Sequence, residues 1–243
     1  MTEFDFAGMF DEDYLRYFAD DLDERAEAES DLIWRLLELE PGMEVLDLAC
    51  GHGRIAGPLA ERGCRVTGLD AAPVFLERAR RDAGERGVSV TYVEGDMREL
   101  PWSGRFDRVV NWFSAFGYFD DDANRRVLSE VCRVLRPGGR LAMELNNRDR
   151  IIRDFRPESV SEHDGELIID RRRLEPLTGR CLTERIMVRD GRVRRVPFFV
   201  RLLTFTELRG WLRDAGFDEI TGHDENGDPL GPDSHRMIVV ARR

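Results

Sequence analysis

Between residues 44 and 145, short apolar runs alternate with stretches of helical periodicity, and this alternation restricts the chain more than any other feature. Glu44-Val45-Leu46-Asp47-Leu48 reads as a short buried strand. Ala49-Cys50-Gly51-His52-Gly53 ends it, and a helix follows to about Arg62. Residues 65–69 form a second strand running into Asp70. Pro73 opens the next helix in its first turn, where the missing N–H is tolerated. Strands follow at 89–93 and 106–110, then a helix near 122–135, a Pro137-Gly138-Gly139 turn, and a strand over 140–145. Elements in this order build right-handed βαβ units around a parallel sheet covered by helices on both faces.

Two flanking segments break the rhythm. Residues 10–39 read as two helical pieces; Asp31 is placed to cap a run in which Leu32, Ile33, Leu36, Leu37 and Leu39 recur at helical spacing. Residues 166–175, 180–189 and 192–203 are three β-like runs joined by Leu177-Thr178-Gly179 and Asp190-Gly191, which predicts an antiparallel meander. A helix from Thr206, a strand after Gly216 and a final strand over 235–241 complete the chain. The expected organisation is an N-terminal helical lid (1–40), an α/β domain (41–149 with 204–243) and an inserted meander lid (150–203).

Charge excludes several functions. The formal net charge is −11, and none of the 37 basic residues is a lysine. Residues 1–40 hold 14 Asp/Glu against Arg16, Arg25 and Arg35, so this segment carries the whole excess while the rest balances at 34 against 34. An acidic balance argues against nucleic-acid binding, whose affinity comes from neutralising phosphates. No run approaches the length of a membrane span, and the start, MTEFDF, lacks the features of a secretory signal. Cys50, Cys64, Cys132 and Cys181 lie far apart without metal-ligand spacing. A cytoplasmic protein with reduced thiols and no metal is expected.

Gly51-His52-Gly53-Arg54-Ile55-Ala56 fits G-x-G-x-x-G/A between a strand and a helix, with Asp70 at the end of the next strand. Glycines there let a backbone approach a ligand, and the acid can hold a ribose diol. The pattern alone suits a dinucleotide or another adenosine cofactor. Asp47 separates them: a carboxylate beside the glycine turn repels a pyrophosphate and favours a ligand bearing positive charge. S-adenosylmethionine has an ammonium, a sulfonium and no phosphate.

Residues 45–54 resemble motif I of class I S-adenosylmethionine-dependent methyltransferases. Gly68-Leu69-Asp70, Glu94-Gly95-Asp96-Met97-Arg98 and the turn from Leu135 to Leu141 resemble the three motifs that follow, in order. His52 departs from the pattern, since Thr or Ser is commoner there. The resemblance implies a Rossmann-like fold with a seven-stranded, mostly parallel sheet whose last strand is antiparallel. It implies that S-adenosyl-L-methionine is held by Asp47, Ala49, Gly51, Gly53, Arg25, Asp70, Ala71, Asp96, Met97 and Asn111. Asp70 would take the ribose hydroxyls, and Asp96 with Met97 the adenine. For Arg25, a partner role to the cofactor carboxylate stands beside an i,i+4 pairing with Asp21 or Glu29.

The stretch from Asn111 to Phe119, Tyr14-Leu15-Arg16-Tyr17, the meander and the ending Pro232 to Met237 are similar to small-molecule N-methyltransferases of antibiotic and aminosugar biosynthesis. The resemblance implies a small-molecule acceptor, with nitrogen favoured over oxygen, and Tyr14, Tyr17, Phe116 and Asn147 at the acceptor site. An O-methyltransferase, an NAD-dependent reductase and a cofactor-binding protein without turnover remain alternatives, and a homo-oligomer is left open. Were the acceptor a hydroxyl, His163, His223 and His235 are the candidate bases. The meander, residues 150–201, counts 13 Arg against 9 Asp/Glu. Two readings of the segregated charge follow: attraction between the lids across the cofactor or a subunit contact, or a solvated acidic face, the simpler of the two.

Overall fold

A computed structural model describes residues 6–163 and 165–243. Glu3 and Asp5 of the acidic segment lie outside the described residues. The N-terminal segment forms the short α1 (Phe6–Met9), followed by α2 (Glu12–Asp23) and α3 (Ala26–Leu36), the two helical pieces expected over 10–39. Asp11 caps α2 by accepting from the Tyr14 N–H. Asp31 caps nothing, because α3 starts five residues earlier and runs through it.

The α/β domain continues as β1 (Glu44–Leu48), α4 (Ala56–Glu61), β2 (Arg65–Asp70), α5 (Pro73–Arg86), β3 (Thr91–Glu94), β4 (Phe106–Asn111), α6 (Asp121–Val134) and β5 (Leu135–Asn146). Then come α7 (Arg148–Arg153), β6 (Glu158–His163), β7 (Glu166–Glu175), β8 (Arg180–Arg189) and β9 (Arg192–Arg201). The chain closes with α8 (Phe205–Ala215), β10 (Asp218–His223) and β11 (Arg236–Arg242).

The main sheet has the order β10-β11-β5-β4-β1-β2-β3. β1 to β5 are parallel, and β11 runs antiparallel between β5 and β10. This is a Rossmann-like sheet of seven strands with the antiparallel last strand that was expected. Alternation along the strands sorts two cores. Leu46, Leu48, Val109, Met143 and Val239 pack with α6 and α8 on one face. Val45, Val66, Val110, Ala142 and Ile238 pack with α3 and α4 on the other. Asp47 shares Val45's face of β1, so strand periodicity directs it beneath the start of α4.

β6 to β9 form a second, antiparallel sheet. It has four strands where three were expected. β6 carries one apolar side chain, Val160, along an otherwise polar and exposed edge, so it has no period-2 signature. α7 was missed for a related reason: it buries none of its residues. No helix among the described residues is long and apolar enough to cross a membrane.

Candidate active site

A cavity of about 1120 Å³ opens at the carboxyl ends of β1, β2, β4 and β5 and is roofed by α2 and by the inner face of the four-stranded sheet. Parallel α/β sheets bind ligands at this edge. β1 leaves through Ala49, held at φ +58, into Gly51 at φ +56. A Cβ on Gly51 would meet only Phe75, 3.9 Å away, so the turn presents open backbone to the cavity. Strain recurs at the exit of β4, where Phe113 and Ser114 both adopt left-handed conformations (φ +58 and +53). Such conformations gather at ligand sites because the surrounding fold must hold them.

Three carboxylates face this floor. Asp47 is 2% exposed, and its Oδ2 has no hydrogen-bond partner. Burial pushes its carboxyl up to about 7, against the pull of Arg54 and the Ala56 N–H and with the help of Asp70. Asp70 accepts from the N–H groups of Gly51 (2.8 Å) and Ala72 (2.9 Å), tying the glycine turn to the end of β2. Burial nonetheless raises it above the usual carboxylate range. For Asp96, burial is outweighed by Arg98, whose Nε lies 3.0 and 2.9 Å from its two oxygens, and its pKa is lowered. Cys50 also lines the floor. Burial, with Asp47 and Asp70 nearby, drives its thiol well above the ordinary value.

The cavity brings together Asp47, Ala49, Gly51, Asp70, Ala71, Asp96, Met97 and Tyr14 of the residues singled out from sequence. The others lie outside its lining, each for a visible reason. A Cβ on Gly53 (φ +82) would collide with the Tyr92 hydroxyl and come within 3.1 Å of Ala79, so this glycine serves close packing. Arg25 is exposed: its Nε donates to the Asp21 carbonyl at 3.2 Å and its guanidinium lies 5.4 Å from the Phe113 ring centroid. Asn111 donates to the Leu48 carbonyl at 2.9 Å, bridging β4 and β1.

Tyr17 is buried, with its hydroxyl donating to the Glu166 carbonyl at 2.5 Å. Phe116, 1% exposed, belongs to the α6–α8 core. Asn147 donates to the Ser234 carbonyl (2.8 Å) and accepts from the Asp149 N–H (3.1 Å), which makes it the N-cap of α7. His163, His223 and His235 are also absent from the lining: the His163 ring packs at a tilt against Tyr17, 5.9 Å between centroids, and His223 contacts Thr221 and Gly227.

Sequence reasoning missed the contacts that close the roof. His52, the departure in the glycine loop, contacts Asp23 of α2 through Nε2 at 2.8 Å, and Arg54 pairs with Glu29 of α3 at 2.7 Å. The acidic segment is also clamped from above. Arg194 pairs with Asp11 and with Asp13 (3.1 Å), Arg189 with Asp13 (3.3 Å), and Arg16 with Glu166 (2.9 Å). The two lids therefore do meet through opposite charges. Around the cavity, Phe10, Tyr14, Phe18 and Phe75 form an aromatic cluster with Tyr118. Arg236 of β11 pairs with Glu144 and donates to Asn146 Oδ1 (2.6 Å) and Ser114 Oγ (2.7 Å), pinning the strained β4 exit. No spacing rule links such residues; only the sheet order places β11 beside β5.

The floor fits a cationic adenosine ligand. Its buried carboxylate Asp47 keeps an oxygen without a partner, which a ligand bearing positive charge would satisfy and a pyrophosphate would not. Residues 45–139 match the family model described as "Methyltransferase domain". A demethylmenaquinone methyltransferase of Thermus thermophilus is 41% identical over 122 residues, which cover 47% of this chain and 54% of that protein. A structure of an S-adenosylmethionine-dependent methyltransferase from Clostridium acetobutylicum superposes with a TM-score of 0.79 at 17% identity, covering 94% and 95% of the two chains. The sugar N-methyltransferase KedS8 of Streptoalloteichus sp. gives 0.69 at 19% identity, covering 100% and 98%. The chain spans about half the length of the curated relatives it matches. The likeness to methyltransferases therefore covers residues 45–139 in sequence and nearly the whole chain in fold.

Proposed function

We propose that this chain methylates a small-molecule acceptor at an amine nitrogen, using S-adenosylmethionine. The observation that carries the first part is the buried, half-satisfied Asp47 beside the Gly51 turn and Asp70. Bound at this floor, the cofactor supplies a methyl group activated by its sulfonium. Asp47 holds the cationic methionine end, Asp70 the ribose hydroxyls, and Asp96 with Met97 the adenine. Methyl transfer then asks the protein chiefly to align the acceptor and exclude water. α2 and the four-stranded sheet do this by covering the cavity, and the rings of Tyr14, Phe18 and Tyr118 favour a cationic methylated product by about 0.5–2 kcal/mol per face.

Nitrogen is supported by what lines the chamber. An amine needs only to arrive deprotonated, whereas a hydroxyl gains from a base. Among the described residues His52 is the histidine of the lining, and its Nε2 is engaged by Asp23. The N-methyltransferase KedS8, alike in fold over the whole chain, fits this reading. The demethylmenaquinone methyltransferase points to a different acceptor but aligns with less than half of this chain.

The test is incubation with methyl-labelled S-adenosylmethionine and parallel panels of amines and phenols, read by mass spectrometry. One added methyl on an amine is expected. Label confined to phenols would move the reaction to oxygen, and thermal stabilisation by NADH but not by S-adenosylhomocysteine would overturn the reading.

A further inference from the structure

The cavity wall is electrically two-sided. At the floor, Asp47 and Asp70 face the space, Arg98 is hydrogen-bonded to Asp96, and the Arg54 guanidinium lies 2.7 Å from Glu29 without a hydrogen bond at either Nη. On the wall formed by the four-stranded sheet and the segment entering it, the lining presents Arg156, Arg172 and Arg185 around one carboxylate, Asp170. The strand register makes these neighbours: Asp170 lies opposite Arg185, and Arg172 opposite Thr183. The Arg172 N–H donates to the Pro157 carbonyl at 2.7 Å, which sets Arg156 alongside.

Asp170 is 5% exposed and serves two guanidiniums at once. Arg172 reaches it at 2.7 Å, and Arg185 at 2.8 and 2.9 Å. Arg156 has no hydrogen bond or ion pair among the described residues. Asp154, the other acid on this side, is taken by Arg150 at 2.5 Å and lies 3.6 Å from Arg153. Arg236 is neutralised by Glu144. Asp170 thus answers two guanidiniums, of which Arg185 is only 15% exposed, while Arg156, an exposed residue of the lining, adds a third positive charge. Two guanidiniums on one carboxylate, with a third unpaired beside them, leave this wall net positive, and the guanidinium fork matches the oxygens of a carboxylate or phosphate.

We infer that the acceptor carries an anionic group, a carboxylate or a phosphate ester, that docks against Arg156 and Arg172 while its amine faces the cofactor end. This rests on the methyl-transfer reading above. The test uses the full chain saturated with S-adenosylhomocysteine and titrated with acetate or methyl phosphate at constant ionic strength, followed by calorimetry. Saturable binding of at least one probe is expected, the better one telling carboxylate from phosphate. Arg156→Glu should weaken it tenfold or more and Arg156→Lys only partly, with S-adenosylhomocysteine affinity unchanged in both. Absence of saturable binding, or an Arg156→Glu protein that binds the probe as wild type does, overturns the inference and leaves the methyltransferase reading standing. A wild-type protein that fails to bind S-adenosylhomocysteine overturns both.

Discussion

The floor and the roof of the cavity are built on different principles. At the floor, backbone conformation and buried carboxylates do the positioning: Ala49 and Gly51 in left-handed turns, Asp70 holding two main-chain N–H groups, Asp47 enclosed with a free oxygen. The roof is held largely by side-chain ion pairs, with Arg194, Arg189 and Glu166 on one side of the acidic helices and His52 and Arg54 on the other. Buried, directional contacts set a rigid geometry, whereas partly exposed pairs are weak singly and screened by salt. A preset binding floor under an electrostatically assembled cover is therefore expected.

The sharpest break in this contrast is Asp70→Ala. Removing a buried acceptor of two N–H groups, and the proposed ribose contact, should weaken S-adenosylhomocysteine binding on the order of 100-fold, about 3 kcal/mol. Calorimetry reads it, and an unchanged Kd would remove Asp70 from the floor's function.

Asp47 comes next, through pH. Its carboxyl titrates near 7 in the folded protein, far above an unfolded aspartate. Between those values the fold holds a proton that the unfolded chain has released, so this group's contribution to stability falls as pH rises through the window. A cationic ligand must displace that proton. Cofactor affinity should thus decline as pH drops below 7, by up to about tenfold per unit. Asp47→Asn should flatten the profile, weaken binding, and raise the ligand-free Tm at pH 8. A variant with a wild-type pH profile would contradict this.

The roof should respond more gently. Arg194→Ala, or added salt, is expected to speed amide exchange across α2 several-fold, about 1 kcal/mol, with the floor's amides unaffected. Equal loosening of both would erase the distinction. Smallest is Tyr17→Phe, which removes the hydroxyl's bond to Glu166 and should cost about 1 kcal/mol or less in stability. A collapse of kcat at unchanged Tm would instead return Tyr17 to the reaction.

The same division explains what could be read from the chain before its fold was known. Gly51, Asp70, Asp96 and Met97 were legible because a strand-turn-helix unit confines ligand-facing residues to short fixed spacings. The roof was not. Asp11 and Arg194 are 183 positions apart, and no local pattern announces that pair. The polar edge of β6 and the solvated α7 carry no periodicity to detect. Gly53 shows a subtler limit: the motif demands glycine there, and the close approach of Tyr92 and Ala79, which no spacing announces, demands it too.

The lining of the cavity has a chemical corollary. An activated methyl donor is an alkylating agent, and a chamber that holds one risks alkylating itself. This chain has no lysine, so every cation facing the chamber is a guanidinium, protonated and non-nucleophilic at any working pH. Two thiols line the chamber, Cys50 and Cys181, and burial keeps both protonated, with Asp47 and Asp70 adding to the effect at Cys50. The guanidiniums and protonated thiols of the lining thereby do not compete with an acceptor for the methyl group.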